Sequence, residues 1–336
     1  MSFNKAALIK LTNDINKKTG TNTMYTINNA NRVIPRFSTG ISDLDSITGG
    51  GLPKGRVIEV FGPPSAGKTT LLYHLYGLQE MSVHYPVEGS MDSDRAAMFG
   101  ATEDNLIIGE TESGEECMNR TISYARTGVP IIGIDSVPSL VPKDDLEKME
   151  KAEKRNSVEN QRMAGIARLL NTYLVPLEEV IKRTGTTVIF VNQVRAKMDA
   201  MLFGEKTQTP GGYKLEHSAS IRIKVARRQW LDCKNYNPHS SSDKEKIGMI
   251  MKLVVVKSKV CHPMGECEIP LIFDKGFVSF DNLKEEIVEC SERRKEFYSS
   301  KPTADDEWED YTEEETLDNW EEEEYNEEEE KEWSDE

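Results

Sequence analysis

Short apolar stretches alternate with amphipathic segments along most of the chain, from about residue 37 to residue 280. The apolar stretches predict strands at residues 56–61, 129–135, 186–193, 220–225 and 249–256. The amphipathic segments between them predict helices. Strands and helices in alternation are typical of an α/β fold, here with a mainly parallel central sheet flanked by helices.

Two segments fit this pattern less well. Residues 6–18 have apolar positions at helical spacing and end at Gly20, so they predict a short helix. This helix either packs in the ordinary way or forms an arm that docks on a neighbouring subunit. Residues 81–86 make a poor strand, because Pro86 stands at the end of the stretch.

Charge divides the chain at about residue 301. Residues 302–336 contain 20 Asp or Glu and one basic residue, together with three of the four tryptophans. The net charge is −16 for the whole chain and −19 for this tail, which leaves +3 for residues 1–301. The tail predicts disorder with aromatic contact points, and the overall acidity does not exclude nucleic acid as a partner.

The cysteines are scattered and have no C-x-x-C spacing, which predicts neither a zinc site nor a disulfide framework. The N-terminal sequence lacks an apolar signal core, and no apolar run approaches membrane-spanning length. We therefore expect a reducing, cytoplasmic setting without membrane contact.

A glycine-rich motif follows the first predicted strand of the sheet. It reads Gly62-Pro63-Pro64-Ser65-Ala66-Gly67-Lys68-Thr69, with Thr70 opening a helix, and it fits G-x-x-x-x-G-K-[ST]. Backbone amides at a helix N-terminus favour an anion, Lys68 would reach the β- and γ-phosphates, and the Thr69 hydroxyl would hold Mg²⁺. The alternative is a chance glycine-rich turn, but strand, full motif and helix coincide. The motif predicts a nucleoside triphosphate site.

Two carboxylates are candidates for the chemistry of such a site. Asp135 ends a buried apolar strand, which suits a Walker B acid that holds the metal shell, directly or through water. It could equally be a turn or N-cap aspartate. Glu88 could polarise the attacking water, although an isolated glutamate is more often an ordinary surface residue.

Several ordered motifs resemble one family. They lie at residues 37–45, 49–56, 134–140, 190–195, 209–212 and 256–259, around the glycine-rich loop. In this order and spacing they resemble the RecA-type homologous recombinases, including the phage UvsX-like branch. The resemblance covers roughly residues 5–280.

The resemblance implies roles for the residues around ATP. Glu88 matches the catalytic glutamate and Gln193 the glutamine that senses the γ-phosphate, while Lys68 completes the set in the loop. Lys257 and Lys259 match the pair that reaches the triphosphate from the adjacent protomer. Two further residues would border the adenine, namely Asp92 and Arg95, where Arg95 replaces a stacking tyrosine.

The resemblance also implies a DNA-binding side. The segment from Arg195 to Lys214 combines cations with apolar side chains, as a single-strand groove requires, although a packed surface loop is the alternative. It would be the second DNA-binding loop, with the first near residues 154–163. The implied DNA contacts are Arg195, Lys197, Phe203, Gly211, Gly212 and, on the helix after the first loop, Arg168.

The implied function is an ATP-dependent strand-exchange recombinase that forms filaments on single-stranded DNA and pairs it with homologous duplex. Its domains would be a docking helix and linker (1–36), an ATPase and DNA-binding core (37–285), a helical extension (286–301) and the acidic tail (302–336). Its partners would include a single-strand-binding protein and a recombination mediator. The alternatives are a hexameric helicase-type motor and a non-catalytic RecA-like regulator.

Overall fold

The computed structural model describes residues 4–20, 34–89, 91–151, 158–196, 207–232 and 246–300. Within these residues the strands are β1 Arg36–Phe37, β2 Leu52–Pro53, β3 Val57–Gly62, β4 Ser82–Pro86, β5 Leu106–Ile108, β6 Ile131–Asp135, β7 Thr187–Gln193, β8 Arg195–Ala196, β9 Thr207–Gln208, β10 Ile221–Asp232, β11 Lys246–Ser258, β12 Glu266–Ile272 and β13 Gly276–Phe277. Nine of them form the central sheet in the order β13-β12-β11-β10-β3-β7-β6-β4-β5. β1 pairs with β2, and β8 pairs with β9, as separate antiparallel ribbons.

The helices of the same residues are α1 Lys5–Thr19, α2 Ser42–Ile47, α3 Lys68–Gly77, α4 Ser93–Met98, α5 Gly114–Thr127, α6 Lys143–Lys151, α7 Val158–Thr184, α8 Gly212–Ser218 and α9 Leu283–Ser300. Among them, none combines the length and apolarity needed to cross a bilayer. The chain divides into two units at residue 291, and α9 supplies the described residues of the second unit.

The half of the central sheet from β10 to β5 is parallel. In register, Gly62 of β3 lies beside Gln193 of β7, and Ile134 of β6 lies beside Phe190 of β7. The carboxyl ends of parallel strands meet at one edge of a sheet, where ligands collect in such folds. The register therefore brings the glycine-rich loop, Asp135 and Gln193 to the same edge, and the predicted α/β fold with a mainly parallel sheet is confirmed.

Two apolar cores cover the two faces of the sheet. On one face the α3 side chains Leu71, Leu72 and Leu75 pack against β3 and β10. On the other face α5 and α7 pack against β6 and β7, for example through Met118 and Leu174. Because both faces are covered, the strand residues of β3 and β6 are all buried, which explains why their sequences are apolar except for Glu59 and Asp135.

The remaining strands form an antiparallel extension. β10 and β11 pair over their length and reach well beyond the predicted ends at residues 225 and 249. The continuation was not evident in the sequence, because the side chains of residues 227–229 are exposed and polar and interrupt the apolar pattern. The long hairpin brings Trp230 of β10 and Met249 of β11 beside the glycine-rich loop.

The expectation of a poor strand at residues 81–86 is wrong. β4 is a central strand that pairs with β5 and β6, and Val83, His84 and Tyr85 are buried. Pro86 is the last residue of the strand, where its missing N–H interrupts little of the ladder. The buried histidine is accommodated because Tyr76 Oη lies 3.0 Å from His84 Nδ1.

The terminal segments are described only in part. The predicted helix at 6–18 is α1, and none of its residues is buried within the protomer. Leu8, Ile9 and Leu11 are exposed on it. The predicted acidic tail, residues 302–336, lies outside the described residues.

Candidate functional site

The glycine-rich loop turns between the end of β3 and the start of α3. Gly67 has a φ of 88°, which strains any L-residue, and a Cβ there would lie 2.7 Å from Met251 Sδ, so a larger residue would also displace the Met251 side chain. Lys68 Nζ donates a hydrogen bond of 2.7 Å to the Pro63 carbonyl at the other side of the loop. The ammonium group thus lies across the loop, and burial lowers its pKa.

Thr69 and Asp135 meet at the centre of the site. Thr69 Oγ1 donates to Asp135 Oδ2 at 2.6 Å. Burial raises the pKa of Asp135, while the hydrogen bond from Thr69 acts in the opposite direction. The two residues predicted to hold a metal are therefore adjacent, at the ends of α3 and β6 that face each other.

Glu88 and Gln193 are also in direct contact. Gln193 Nε2 donates to Glu88 Oε1 at 2.7 Å, and Ser136 Oγ donates to Glu88 Oε2 at 2.9 Å. The Glu88 backbone N–H bonds the Asp135 carbonyl at 3.1 Å. Sequence reasoning assigned Glu88 and Gln193 separately and did not foresee Ser136, whose only signal was its place after Asp135. The structure joins these residues in one cluster.

A cavity on the other side of the loop has an aromatic wall. Residues 65–70 line it together with Arg95, Trp230, Met249 and Phe273. The Arg95 guanidinium lies 5.8 Å from the centre of the Phe273 ring, and Trp230 and Phe273 meet edge to face. Trp230 and Phe273 were missed in the sequence, because they come from β10 and the end of β12, far along the chain.

The two residues predicted to border adenine lie on α4. Arg95 faces the cavity just described, whereas Asp92 is the N-cap of α4. Its carboxylate accepts from the Arg95 backbone N–H at 2.9 Å. Asp92 therefore positions the helix that carries Arg95.

Lys257 and Lys259 hold the C-terminal end of α8. Lys257 Nζ donates to the carbonyls of Glu216, His217 and Ala219, and Lys259 Nζ donates to those of His217 and Ser218. Cations are stabilising at a helix C-terminus, where carbonyl groups are unpaired. Burial lowers the pKa of Lys257, and the adjacent charge of Lys259 lowers it further.

The predicted second DNA-binding loop has ordered ends. It begins as β8 and returns as β9, with Arg195 opposite Gln208, so its stem is a ribbon where the sequence suggested only a loop. Lys197 and Phe203 lie outside the described residues. Gly211 and Gly212 have φ values of 98° and 66° and lead into α8.

Arg168 comes from a different element, the long helix α7. It is exposed on α7 and lines a groove with Glu115, Asp144 and Asp145. Of the first predicted DNA-binding loop, residues 154–157 lie outside the described residues, whereas residues 158–163 form the first turns of α7, where the sequence suggested a loop. The structure therefore places Arg168 in an acidic setting that its predicted role did not suggest.

Comparison with known proteins decides the family. The family model described as the RecA N-terminal domain matches residues 6–278. The chain belongs to the RecA family. It is accordingly an ATP-dependent recombinase and a DNA-dependent P-loop ATPase that acts in recombination and repair. The helicase-type and regulatory alternatives are not favoured.

The RecA match extends to curated bacterial proteins. The chain is 36% identical over 249 residues to Protein RecA of Campylobacter fetus subsp. fetus (strain 82-40), a match that covers 72% of this chain and 67% of that protein. It is 31% identical over 281 residues to Protein RecA of Staphylococcus aureus (strain JH9), covering 82% of this chain and 72% of that protein. The assignment to a phage UvsX-like branch stays a prediction.

Proposed function

We propose that protomers of this chain assemble head to tail on single-stranded DNA with ATP and Mg²⁺, pair that strand with a homologous duplex and exchange strands. The observation that carries the proposal is the hydrogen bond of 2.7 Å between Gln193 and Glu88. Gln193 ends β7, and the chain continues after one residue into the ribbon of the DNA-binding loop. The contact between Gln193 and Glu88 thus joins the proposed ATP site to the proposed DNA-binding loop.

The P-loop residues fit a nucleoside triphosphate with a hard cation. Residues 62–70 supply backbone amides, and Lys68 brings a cation to the phosphates. Thr69 and Asp135 offer oxygen donors 2.6 Å apart, the ligand type that Mg²⁺ prefers. In the described part of the chain no group of three or more His, Cys, Asp or Glu could hold a metal alone, and Mg²⁺ commonly binds through one or two protein groups and the phosphates. Bound there, Mg²⁺ would neutralise charge on the β- and γ-phosphates.

Glu88 is the proposed general base. Its carboxylate would accept a proton from the water that attacks the γ-phosphorus, and Ser136 and Gln193 fix its orientation from two sides. Gln193 would exchange its bond to Glu88 for one to the γ-phosphate. Hydrolysis would then change the position of the strand end that leads to DNA.

Lys257 and Lys259 are proposed to complete the active site of the adjacent protomer. Their ammonium groups would neutralise charge on the transferred phosphoryl group in trans. The exposed apolar side chains of α1 suit docking on the same neighbour. ATP would then lie between protomers, so its binding would favour the filament.

The aromatic wall is the proposed base-binding side of the nucleotide cavity. A purine has faces that stack on Trp230 or on the guanidinium plane of Arg95. Phe273 supports both groups. The ribbon loop, with Arg195, Lys197, Phe203 and the glycines at 211 and 212, would hold the DNA strand by phosphate contacts and base stacking. Arg168 would add a phosphate contact.

The partners and location follow from the reaction. A filament on single-stranded DNA competes with single-strand-binding proteins, so we expect a mediator that loads it. ATP and DNA occur together in a cytoplasm, which would be that of the host if the chain is phage-encoded. The domain division at residues 36, 285 and 301 is part of the same proposal.

The first experiment measures ATP hydrolysis with and without single-stranded DNA for the wild type and for Lys257→Ala. The matched control is Lys252→Ala, which removes another lysine of β11, one that pairs with Glu266 at 2.9 Å. We expect strong DNA stimulation in the wild type and the control, and its loss in Lys257→Ala. DNA-independent hydrolysis that Lys257→Ala leaves unchanged would contradict the proposal.

A second experiment separates the recombinase from a ring-shaped motor. Electron microscopy of the protein with single-stranded DNA and a slowly hydrolysed ATP analogue should show helical filaments whose length follows the DNA. Closed rings of fixed size would favour the hexameric helicase alternative.

A further inference from the structure

A fully buried carboxylate lies on the P-loop strand and takes no part in the site described above. Glu59 is in β3, three residues before Gly62, and its side chain is 0% exposed. Burial raises its pKa. A buried charge is costly unless it is paired, so its partners show what the residue does.

Both carboxylate oxygens of Glu59 are bonded. Arg222 Nε donates to Oε2 at 2.6 Å, and Asn192 Nδ2 donates to Oε1 at 2.8 Å. The Arg222 guanidinium also lies 4.7 Å from the centre of the Phe61 ring. The three residues belong to neighbouring strands β10, β3 and β7, so they form one cross-strand cluster.

This cluster reaches the end of the DNA-binding loop. Asn192 Nδ2 also donates to the Pro210 carbonyl at 2.8 Å, and Arg222 Nη2 donates to Thr209 Oγ1 at 3.1 Å. Arg222 Nη2 lies 3.1 Å from Glu216 Oε1 on α8 as well. The segment that leaves the loop is therefore bonded to the P-loop strand through two side chains.

The same cluster reaches the γ-phosphate sensor. Asn192 Oδ1 accepts from the Gln193 backbone N–H at 3.0 Å. Asn192 thus bonds the sensor with its oxygen and the loop exit with its nitrogen. The loop begins directly after Gln193 in the chain. At its exit the Pro210 carbonyl is bonded by the side chain of Asn192, and the Thr209 hydroxyl is bonded by Arg222.

We propose that Glu59, Asn192 and Arg222 are positioning residues that couple the nucleotide state at Gln193 to the exit of the DNA-binding loop. A shift of the end of β7 would move Pro210 and Thr209 with it, whereas the entry of the loop follows Gln193 directly. Both ends of the loop would then respond to one nucleotide. This inference rests on the proposed function, because it takes Gln193 as the sensor and residues 195–214 as the DNA-binding loop.

The test uses Thr209→Val, which removes the hydroxyl bonded to Arg222 and keeps the shape of a residue that is 8% exposed. The readout is the affinity for fluorescein-labelled oligo-dT with a slowly hydrolysed ATP analogue, divided by the affinity with ADP. Loss of a direct DNA contact lowers both affinities and leaves this ratio unchanged. Loss of coupling lowers the ratio, by about tenfold for one hydrogen bond to a charged group.

Two further variants complete the experiment. Thr209→Ser keeps the hydroxyl and should restore the wild-type ratio. Thr187→Val is the matched control, because it also removes a buried threonine hydroxyl, which donates to the Pro53 carbonyl at 3.2 Å. Thr187 is on β7, like Asn192, but at the end of the strand away from the loop. The control variant should leave the ratio unchanged.

Each result has a distinct meaning. A ratio unchanged in Thr209→Val, or lowered equally in Thr187→Val, would overturn the coupling. A wild type whose affinity for oligo-dT is the same with either nucleotide would instead overturn the proposed function. Thermal unfolding of each variant with and without the ATP analogue confirms that the compared proteins are folded.

Discussion

Each side chain around the triphosphate site is held by another part of the same site. Lys68 bonds Pro63, Thr69 bonds Asp135, and Glu88 is bonded by Ser136 and Gln193. Groups that are fixed before the substrate arrives need little reorganisation in the transition state. The proposed site is therefore arranged for hydrolysis. Replacing Glu88, the proposed general base, with glutamine would remove its carboxylate with little change of shape.

Glu88→Gln should abolish hydrolysis and preserve ATP binding. The amide keeps the size of the carboxylate but cannot accept the proton of the attacking water, and general-base catalysis contributes about 10²–10⁴-fold. The measurement is DNA-stimulated phosphate release together with the affinity for ATP. Glu103→Gln, at an exposed position, is the control and should behave as the wild type. Retention of full activity in Glu88→Gln would exclude Glu88 as the base.

His84 should make the protein less stable in mild acid. Burial lowers the pKa of His84 to about 4, whereas an unfolded histidine has a pKa of about 6.5. Between these values the unfolded state binds a proton that the folded state does not, so stability is full above about pH 6.5 and falls toward pH 4 by up to about 1.4 kcal/mol per pH unit.

The comparison is with His84→Asn, which retains an acceptor for Tyr76 and does not titrate. Urea unfolding at pH 7 and pH 5 should show a larger loss of stability for the wild type than for the variant. Other titrating groups, such as Glu59 and Asp135, are common to both proteins and cancel in the comparison. Equal losses would mean that His84 is protonated in the folded state.

Among the elements, α8 connects the proposed DNA-binding loop to Lys257 and Lys259 at the end of β11. It begins at the loop exit, where Gly211 is its N-cap, and its last carbonyls accept from Lys257 and Lys259. Its side chain Glu216 pairs with Arg222. The conformation at Gly211 therefore sets the position of a short helix that contacts both functional regions.

Gly211→Ala should weaken both folding and DNA binding. At its φ of 98° any L-residue is strained, and the added Cβ would lie 2.9 Å from Leu170 Cδ1. The control is Gly185→Ala, where φ is 86° and nothing lies within 4 Å of the added Cβ. Both variants carry the backbone cost of about 1–2 kcal/mol.

The difference between the two alanine variants measures the contact with α7. Gly211→Ala should lose roughly 1–3 kcal/mol more than Gly185→Ala in urea unfolding. It should also bind oligo-dT more weakly, whereas Gly185→Ala should match the wild type in that assay. Equal stability of the two variants would show that α7 yields to the added methyl group.

The elements that the sequence predicted well are those whose signal is local. The P-loop strand, β6 and β7 are short, mainly apolar runs bounded by polar residues, and the P-loop helix directly follows the glycine-rich motif, so their positions were predictable within about two residues. β4 was predicted to be a poor strand because proline has a low intrinsic strand propensity. That propensity matters little at Pro86, because it is the last residue of the strand. The ends of β10 and β11 are set by pairing across the hairpin.

The same distinction applies to the site. Lys68 and Thr69 were found because their motif directly follows a strand, and Asp135 because it is itself the last residue of a strand. Trp230 and Phe273 reach the loop through the antiparallel extension, and the partners of Glu59 are 133 and 163 positions away in sequence. Such contacts depend on strand order, which no single segment of sequence contains.

For the whole molecule, charge separates a slightly basic body from an acidic tail. Residues 302–336 carry −19, with spaced aromatic residues. Repeated negative charge with ring faces has the chemistry of single-stranded nucleic acid, so the tail should compete with DNA for the cations of the proposed DNA-binding loop. Removal of residues 302–336 should then increase the affinity for duplex DNA at low salt, and the gain should shrink as salt is added.

The measurement is duplex binding by full-length and truncated protein at matched salt. In the truncated protein Trp230 is the only tryptophan, so its fluorescence provides a control for nucleotide binding. Equal duplex affinities for the two proteins at low salt would show that the tail does not compete for these cations.

The lysine pair that bonds the C-terminal end of α8 would make the two ends of the proposed filament chemically different. Within one protomer, Lys257 and Lys259 both bond carbonyl oxygens of α8. In a head-to-tail assembly, one terminal subunit has no neighbour whose triphosphate its lysines can reach, and the other holds a triphosphate to which no lysines are supplied. Subunits are then gained and lost at different rates at the two ends, and the filament acquires a kinetic polarity that originates in a helix cap.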